Sequence, residues 1–304
     1  MENDLVSVKM IFDEFRCKLA KDYGEKESTQ FAYILFEEWM GWTKADVNIE
    51  KSSLLKGEDV LRFWEALRQL QENKPIQYIT GVTHFLNTKI KVREGVFISR
   101  PETEELAGLI LKDYHHRQFE NLSLLDIGTG SGCIPVAIKE EIPGIDATAI
   151  DISDVALNLA IENSALNNCG IKFLLADILD RQKWKKFPGY LIIVSNPPYV
   201  LESERLLMHP NVVGYEPYES LFVPDNEPLK FYKPIAEFAF QHLLRPGSLY
   251  LEINERFGKP IRELLLSIGF DKADVLKDFQ GKDRFIRSEA KTVNLDTSYW
   301  NVEH

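Results

Sequence analysis

The chain has 304 residues, 44% of them apolar, which is enough to bury one large core or two ordinary ones. Its 36 Lys and Arg against 47 Asp and Glu give a net charge of −11. This acidic balance disfavours unspecific attraction to a phosphate backbone and favours a specific protein or small-molecule partner.

Cysteine and histidine usage narrows the class of protein further. The three cysteines lack C-x-x-C spacing, and no histidine stands at metal-ligand spacing from a carboxylate or cysteine. We therefore expect no disulfide framework, no metal site and a cytoplasmic protein. The amino terminus shows no signal-peptide pattern, and no apolar run reaches the length of a membrane span, so we expect neither secretion nor membrane insertion.

Apolar residues recur at helical spacing in three segments before residue 75. This pattern predicts a small all-helical bundle at 1–74. Its core candidates are Leu5, Val8, Ile11, Phe12, Phe15 and Leu19, then Phe31, Leu35, Phe36 and Trp39, then Val60, Phe63, Trp64, Leu67 and Leu70.

A different pattern follows at 75–99. Residues from Ile76 to Ile98 favour extended structure and surround Gly81 and Gly95, which predicts a β-hairpin connector between two domains.

Short apolar strands alternate with amphipathic segments over 100–290. This alternation predicts an α/β domain with parallel strands and crossover helices. The closely spaced extended pieces at the end predict an antiparallel pair at one sheet edge. The polar tail 291–304 is expected to be loosely ordered. The predicted strands are Leu122–Ile127, Ala147–Asp151, Lys172–Ala176, Leu191–Ser195, Ser248–Ile253, Asp274–Lys277 and Arg284–Ser288, and the predicted helices are Cys133–Glu141, Val155–Asn167, Tyr232–Leu244 and Pro260–Ser267.

The first chemical motif is a strand that runs into alternating glycines, Gly128-Thr129-Gly130-Ser131-Gly132, and then into an apolar helix. Glycines at this point allow a ligand to approach the backbone closely. The spacing G-x-G-x-G differs from the dinucleotide pattern G-x-G-x-x-G, which weakens an interpretation as a nicotinamide site.

Two aspartates follow the next two predicted strands. Asp151 closes one strand nineteen residues after Gly132, where a carboxylate can accept hydrogen bonds from ribose hydroxyls. Asp177 closes the following strand and either holds an adenine amino group or caps a helix. The order strand, glycines, helix, strand and acid predicts a nucleoside site.

The second motif is Asn196-Pro197-Pro198-Tyr199, which follows the apolar run from Leu191 to Ser195. Two prolines remove two backbone N–H donors, so acceptor oxygens and the Tyr199 ring face the cavity. Such acceptors suit a planar NH₂ group, in a glutamine amide or an adenine. A simple strand-ending turn is the alternative.

Together these segments resemble the class I S-adenosylmethionine-dependent methyltransferases, and among them the release factor glutamine methyltransferases (HemK/PrmC). The resemblance covers nearly the whole chain. Besides the two motifs, it includes the segments 75–81, 100–106, 215–217 and 277–284. It implies a Rossmann-like seven-stranded, mostly parallel sheet at 100–290, preceded by a helical domain that helps to engage the substrate protein.

The resemblance also implies the roles of individual residues. Gly128, Thr129, Gly130, Ser131 and Gly132 would wrap the methionine part of S-adenosylmethionine, and Asp151 would bind its ribose. Asp177 and Ile178 would lie near the adenine. Asn196, which also borders the cofactor, and the Pro197 carbonyl would accept hydrogen bonds from the substrate amide. Pro198 and Tyr199 would complete that pocket, and Phe97 would line it.

The implied reaction is methylation of the side-chain amide nitrogen (N5) of the glutamine in the Gly-Gly-Gln motif of peptide chain release factors, with S-adenosylhomocysteine as the second product. We expect a monomer that acts in translation termination without binding nucleic acid directly. Three positions depart from the family's commonest form, which leaves adenine stacking and the shape of one loop open: Ser99, Ile178 and Asp225-Asn226.

Other functions stay open at this point. A ribosomal-protein glutamine methyltransferase would share the central motifs. An adenine-N6 DNA methyltransferase would share the Asn196 motif, but it must grip phosphates, which the acidic charge disfavours. A nicotinamide oxidoreductase would make no use of Asn196 to Tyr199, and a non-catalytic module would not need the full set of motifs.

Overall fold

The computed structural model describes residues 5–115 and 121–289, so the predicted tail 291–304 lies outside the described residues. The helices are α1 Val8–Met40, α2 Lys44–Ile49, α3 Glu58–Gln71, α4 Ile76–Thr80, α5 Pro101–Tyr114, α6 Cys133–Glu141, α7 Asp154–Leu166, α8 Pro210–Tyr215, α9 Tyr232–His242 and α10 Gly258–Ile268. Short 3₁₀ helices cover Arg181–Lys186, Glu202–Leu207 and Tyr218–Ser220. No helix in these two described ranges is long and apolar enough to cross a membrane.

The strands form one large sheet and three two-stranded ones. Their bounds are β1 Val6–Ser7, β2 Leu54–Leu55, β3 Val82–Phe85, β4 Thr88–Lys91, β5 Ser123–Ile127, β6 Asp146–Asp151, β7 Lys172–Leu175, β8 Tyr190–Ser195, β9 Val200–Leu201, β10 Phe222–Val223, β11 Leu243–Glu252, β12 Lys272–Lys277 and β13 Asp283–Glu289.

The first compact unit comprises the described residues through Thr83 together with Val92–Glu94 and Leu207–Glu216. Helix α1 is interrupted at Gly24, whose φ of 78° and ψ of 159° are not helical, so the two predicted amino-terminal segments form its two halves. Most of the predicted apolar positions of α1 and α3 are buried together in one core, and Phe12, Trp39 and Trp64 are partly buried against it. Leu5, which precedes α1, is exposed. The predicted helical amino-terminal region is thus confirmed, but it is not all-helical, because β1 and β2 form a short antiparallel pair within it.

The connector prediction is only partly right. β3 and β4 form the expected two-stranded sheet, but Ile76–Thr80 is a helix rather than an extended segment. Pro75 starts this helix, and Gly81 ends it in the left-handed conformation with its N–H bonded to the carbonyl of Gln77. The burial of Ile76 and Tyr78 outweighs the β preference of their residue types.

The second unit comprises His84–Lys91, Gly95–Leu206 and the described residues from Pro217 onward, and it contains the seven-stranded sheet. The strand order is β12-β13-β11-β8-β5-β6-β7. Neighbouring strands from β11 to β7 pair in parallel, and β13 pairs antiparallel with both β11 and β12. The predicted fold class and the antiparallel pair at one edge are confirmed.

The largest difference from a predicted strand boundary is at the start of β11, while the other predicted strands agree with the structure to within two residues at each end. β11 begins at Leu243 rather than Ser248, and α9 ends at His242. The pairing of β11 with β8 shifts register between Leu243 and Ser248, where Pro246 lacks a ladder donor and a Cβ on Gly247 would lie 2.5 Å from the carbonyl oxygen of Leu191.

Strand order creates a topological switch between β5 and β8. The chain passes from β5 outward to β6 and β7 and then returns to place β8 on the other side of β5. In open α/β sheets, ligands bind beyond the carboxyl ends of the strands at such a switch. The residues that follow β5 and β8 are therefore the first place to look for a functional site.

Candidate active site

The glycine motif and the Asn196 motif begin side by side. Ile127, the last residue of β5, pairs with Ser195, the last residue of β8. The Ser195 hydroxyl, fully buried, donates to the carbonyl of Ile127 at 2.7 Å and joins the two strand ends. Gly128 and Asn196 are the next residues on each strand, and neighbouring strands lie about 4.8 Å apart.

The glycine loop has two different kinds of glycine. Gly132 has a φ of 78°, and a Cβ on it would stand 2.9 Å from the Cβ of Ala160 in α7, so glycine is required for helix packing. Gly128 and Gly130 also have positive φ, but an added Cβ would meet no described heavy atom within 4 Å at either position. Space above these two glycines is therefore open to a ligand.

One side chain at the end of β5 and one in this loop are buried without geometric hydrogen-bond partners in the described part of the chain. They are Asp126, in both carboxylate oxygens, and Thr129, in its hydroxyl. Burial raises the pKa of Asp126 to about 7; the charge of Asp151 adds to this shift, while the nearby Thr129 hydroxyl opposes it. Unpartnered buried acceptors beside an open space are suited to a cationic group of a ligand.

Asp151 is held at the end of β6 by the backbone. One carboxylate oxygen accepts the N–H of Gly130 at 2.8 Å, and the other accepts the N–H of Ser153 at 2.9 Å. Burial raises the pKa of this carboxyl, and the backbone N–H donors oppose that shift. Each oxygen keeps a further lone pair, so the carboxylate is positioned to accept ribose hydroxyls while it also shapes the glycine loop.

Asn163 is a further support of the loop. It is fully buried in α7, and its amide nitrogen donates to the carbonyls of Ser131 at 2.9 Å and Lys91 at 3.0 Å. Its amide oxygen accepts the N–H of Lys91 at 2.7 Å. The glycine loop is thereby fastened to both α7 and strand β4.

Asp177 follows β7 and makes a local turn. Its side chain accepts the N–H of Leu179 at 2.8 Å, while Asp180 caps the following 3₁₀ helix. The backbone carbonyl of Ile178 accepts a hydrogen bond from the indole N–H of Trp184 at 3.0 Å. Asp177 is therefore not that helix's cap, and both Asp177 and Ile178 lie beyond the strand next to Asp151.

The Asn196 motif is joined to a buried polar chain. The Asn196 amide nitrogen donates to the Thr103 hydroxyl at 3.0 Å, and that hydroxyl donates to one carboxylate oxygen of Glu252 at 2.8 Å. The Tyr199 hydroxyl donates to the other carboxylate oxygen at 2.8 Å. Asn196, through Thr103, and Tyr199 directly are therefore both linked to the Glu252 carboxylate at the end of β11.

Burial and charge set the protonation of this chain. Glu252 is fully buried, which raises its pKa to about 7, whereas the donors Thr103 and Tyr199 and the cation Arg284 lower it. Burial, followed by the neighbouring Glu252 charge, raises the pKa of Tyr199 well above its ordinary value. Tyr199 therefore remains a neutral hydrogen-bond donor at physiological pH.

Sequence reasoning missed Asp126, Thr103, Asn163 and Glu252. Asp126 and Glu252 carried a readable signal, because each is an acid inside an otherwise apolar strand. Thr103 and Asn163 are ordinary helix residues in the sequence, so their roles appear only in the fold.

Phe97 lies half-buried in the second unit, with the guanidinium of Arg100 5.0 Å from its ring centre. Its place in a substrate pocket stays a prediction, as do the roles assigned above to the other site residues. Within the described ranges no cluster of three His, Cys, Asp or Glu side chains could hold a metal ion.

Comparison with known proteins identifies the family. Residues 12–81 match the family model described as PrmC N-terminal domain, and residues 87–209 match the one described as Methyltransferase small domain. A release factor glutamine methyltransferase of Flavobacterium psychrophilum is 40% identical over 92% of this chain and 98% of the relative. The chain belongs to the release factor glutamine methyltransferase family. The family predicted from the sequence is thus confirmed.

Two further proteins are similar to this chain. A release factor glutamine methyltransferase of Bacteroides thetaiotaomicron is 37% identical over 89% of this chain and 96% of its own length. A solved structure of a release factor-specific protein-(glutamine-N5) methyltransferase from Alicyclobacillus acidocaldarius matches 64% of this chain and 95% of its own, with 26% identity and a TM-score of 0.41.

Proposed function

We propose that this protein transfers a methyl group from S-adenosylmethionine to the side-chain amide nitrogen of the glutamine in the Gly-Gly-Gln motif of peptide chain release factors. The observation that carries the proposal is the pairing of Ile127 with Ser195, which starts the glycine loop and the Asn196 turn on adjacent strands. A methyl donor on one and an amide acceptor on the other would be neighbours. The names of the family relatives support a release factor as the substrate.

The residues around the glycine loop fit S-adenosylmethionine. Open space above Gly128 and Gly130 admits the methionine part, and the unpartnered oxygens of Asp126 and Thr129 suit its ammonium group. Asp151 would accept the ribose hydroxyls, and Asp177 with Ile178 would border the adenine. When bound, the cofactor supplies a methyl group activated by a sulfonium.

Activation of the substrate falls to the Asn196 turn, because the lone pair of an amide nitrogen is delocalised into its carbonyl. Asn196 Oδ1 and the Pro197 carbonyl would accept the two N–H bonds of the glutamine amide. Acceptors in these positions stabilise the positive charge that develops on nitrogen and aim its lone pair at the methyl group. As the N–C bond forms, the S–C bond of the sulfonium breaks, and the nitrogen then releases one of its two protons to solvent. Tyr199 would pack beside the amide plane. Orientation and electrostatics therefore supply most of the rate.

The setting of the reaction follows from its substrate. Release factors act on ribosomes, so we expect the reaction in the cytoplasm. We further propose that the helical region 1–74 engages the release factor, that 100–290 is the catalytic domain, and that a monomer suffices. Deletion of 1–74 would test the first point by its effect on KM for the release factor.

The decisive experiment offers three substrates to the purified protein with S-adenosylmethionine: a release factor, a ribosomal protein and duplex DNA. Mass spectrometry then maps the methyl group. We expect it on the glutamine of the Gly-Gly-Gln motif. Asn196→Ala loses one oriented acceptor, and we expect it to lower kcat by roughly 10²-fold, by analogy with removal of an oxyanion-hole donor.

Cofactor binding by calorimetry is the control for this variant, since a kcat loss with S-adenosylmethionine still bound assigns Asn196 to the transfer step. Methyl groups on adenine, or on a ribosomal protein alone, would contradict the proposed substrate. Turnover of Asn196→Ala near the wild-type value would remove the catalytic role of the turn.

A further inference from the structure

A buried carboxylate terminates two hydrogen-bond paths from the Asn196 turn. One path runs from Asn196 through Thr103 to Glu252, and the other runs from Tyr199 directly to Glu252. Glu252 is fully buried, and Thr103 is 2% exposed. The carboxylate is thus isolated from bulk water, and it accepts one hydrogen bond from Thr103 of α5 and one from Tyr199 of the turn.

When Glu252 is ionised, the direction of these hydrogen bonds is fixed by chemistry. An ionised carboxylate only accepts, so the single proton of the Thr103 hydroxyl must be donated to Glu252. The Thr103 oxygen is then left as an acceptor, and only the NH₂ end of the Asn196 amide can face it. Consequently the Asn196 carbonyl oxygen points away from Thr103 and is available to another donor.

We infer that Glu252 is a positioning residue for the Asn196 turn. It sets the orientation of the Asn196 amide through Thr103, and it holds Tyr199 in place by accepting a hydrogen bond from the Tyr199 hydroxyl. This inference rests on the proposed function, because it assigns to Asn196 the task of accepting an N–H bond of the substrate. Glu252 itself lies behind the turn and takes no part in the transfer of the methyl group.

The fold explains how these residues meet. Glu252 and Tyr250 alternate along β11 with Leu249 and Leu251. The side chains of Glu252 and Tyr250 therefore point to one face of the sheet, and those of the two leucines point to the other. That side is covered by α5, since the hydroxyl of Tyr250 donates to Asp113 of α5 at 2.7 Å. Pro101 occupies the first turn of α5 and brings Thr103 onto the buried face of the helix.

A neutral amide at position 252 would not define this direction. Glutamine carries an NH₂ group that donates to Thr103, whose hydroxyl then donates to the carbonyl of Asn196 and permits the reversed amide. Arg284 supports the ionised form, because its positive charge lowers the pKa of Glu252. Arg284 is itself held by Asp278 at 3.3 Å and by the carbonyl of Ile253 at 3.4 Å.

Kinetics of two isosteric variants test the inference. We expect Thr103→Val and Glu252→Gln to lower kcat for release factor methylation by roughly 10- to 100-fold, as expected when a reacting group is misoriented. Binding of S-adenosylmethionine should stay within about 2-fold of wild type, since Asp151 and the glycine loop are untouched. Thr103→Ser keeps the hydroxyl and should restore most of the lost kcat.

Asp113→Asn provides the matched control. It changes another carboxylate that accepts a tyrosine hydroxyl from the same face of β11, but Asp113 has no part in the two paths from Asn196 and Tyr199. We expect its kcat to stay near wild type. If the wild-type enzyme methylates release factor and both Thr103→Val and Glu252→Gln keep the wild-type kcat, the positioning role of Glu252 is wrong, while the proposed function still stands.

A measurement without substrate separates this inference from the proposed function. In wild type, one proton of the Asn196 side-chain NH₂ is bonded to Thr103, so NMR should show slow exchange of that proton with solvent, and Thr103→Val and Glu252→Gln should accelerate it. Equal exchange in all three proteins would contradict the positioning role. Failure of the wild-type enzyme to methylate release factors would instead contradict the proposed function, whatever the exchange data show.

Discussion

Glycine is required for different physical reasons at different positions of the loop from Gly128 to Gly132. Substitution by alanine should distinguish these reasons. Gly132→Ala places a Cβ 2.9 Å from that of Ala160 at a φ of 78°, so both packing and backbone are strained. We expect it to lower the free energy of unfolding by about 2–4 kcal/mol. Urea denaturation measures this loss.

Gly130→Ala should behave differently. Its φ of 57° is unfavourable for alanine, but no described atom lies near the added Cβ, so a smaller loss of about 1–2 kcal/mol is expected. The methyl group instead enters the open space, and calorimetry should show weaker binding of S-adenosylmethionine. Gly144→Ala, at a position without positive φ or close neighbours among the described atoms, is the control that should leave both quantities unchanged. A larger stability loss in Gly130→Ala than in Gly132→Ala would contradict this assignment.

At the scale of single residues, the sequence predicted the parts of the site that are contiguous in the chain. Two of these parts are local motifs whose residue types indicate their chemistry, namely Gly128 to Gly132 and Asn196 to Tyr199. Thr103 and Glu252 are 149 positions apart, and Thr103 and Asn196 are 93 apart. Their meeting depends on the packing of α5 against β11, which no local pattern encodes.

The two central strands should act as one element, because a buried side chain joins their ends. Ser195→Ala removes the hydrogen bond from β8 to the carbonyl of Ile127. We expect a loss of about 1 kcal/mol in the free energy of unfolding and a lower kcat/KM, since the glycine loop and the Asn196 turn begin at the next residues. Urea denaturation and steady-state kinetics measure the two effects.

Ser288→Ala is a closely matched comparison. Ser288 is also fully buried, and its hydroxyl donates to a carbonyl of the neighbouring strand, that of Lys272, at 2.6 Å. It lies at the antiparallel edge of the sheet, away from β5 and β8. We expect a similar loss of stability with unchanged kcat/KM, and equal kinetic effects of the two variants would show that Ser195 has no special link to the site.

Element prediction succeeded where sequence signals agreed with packing. Helix α6 has the predicted bounds, because Gly132 starts it in a conformation that other residues avoid and its face is apolar. Prediction failed at Ile76–Thr80, where β-preferring residues form a helix that is set by its flanking Pro75 and Gly81. No prediction was made for the short helix α8 or for the pair β9 and β10, because these elements are too short for a period to be recognised.

On the scale of the whole molecule, Asp126 and Glu252 should make the folded protein less stable as the pH rises, whereas carboxylates with lowered pKa values make it more stable. Asp126 and Glu252 both have pKa values raised to about 7, chiefly by burial, so each binds a proton more tightly in the folded state than in the unfolded one. Glu65 is the contrasting case, since the hydrogen bond from Arg68 lowers its pKa from 4.5 to about 2, and the stabilisation from this shift is lost as the pH falls between those two values. Asp126 and Glu252 therefore change the free energy of unfolding in a higher range of pH than Glu65 does.

The sign of the stability change follows from proton binding. As the pH rises from the unfolded pKa of these acids, about 4, to their folded value near 7, the folded state holds more protons than the unfolded one, so the free energy of unfolding decreases. Each fully differing proton contributes a slope of at most about 1.4 kcal/mol per pH unit. Asp126→Asn cannot titrate and removes its share of that slope.

Urea denaturation at about pH 5 and about pH 7.5 measures this difference for wild type and for Asp126→Asn. We expect the stability difference between the two pH values to be clearly smaller in the variant, in which an uncharged amide occupies the same buried place. Asp113→Asn, at a carboxyl outside this pair, should keep the wild-type difference. An unchanged difference in Asp126→Asn would contradict a pKa of Asp126 that is raised in the folded state.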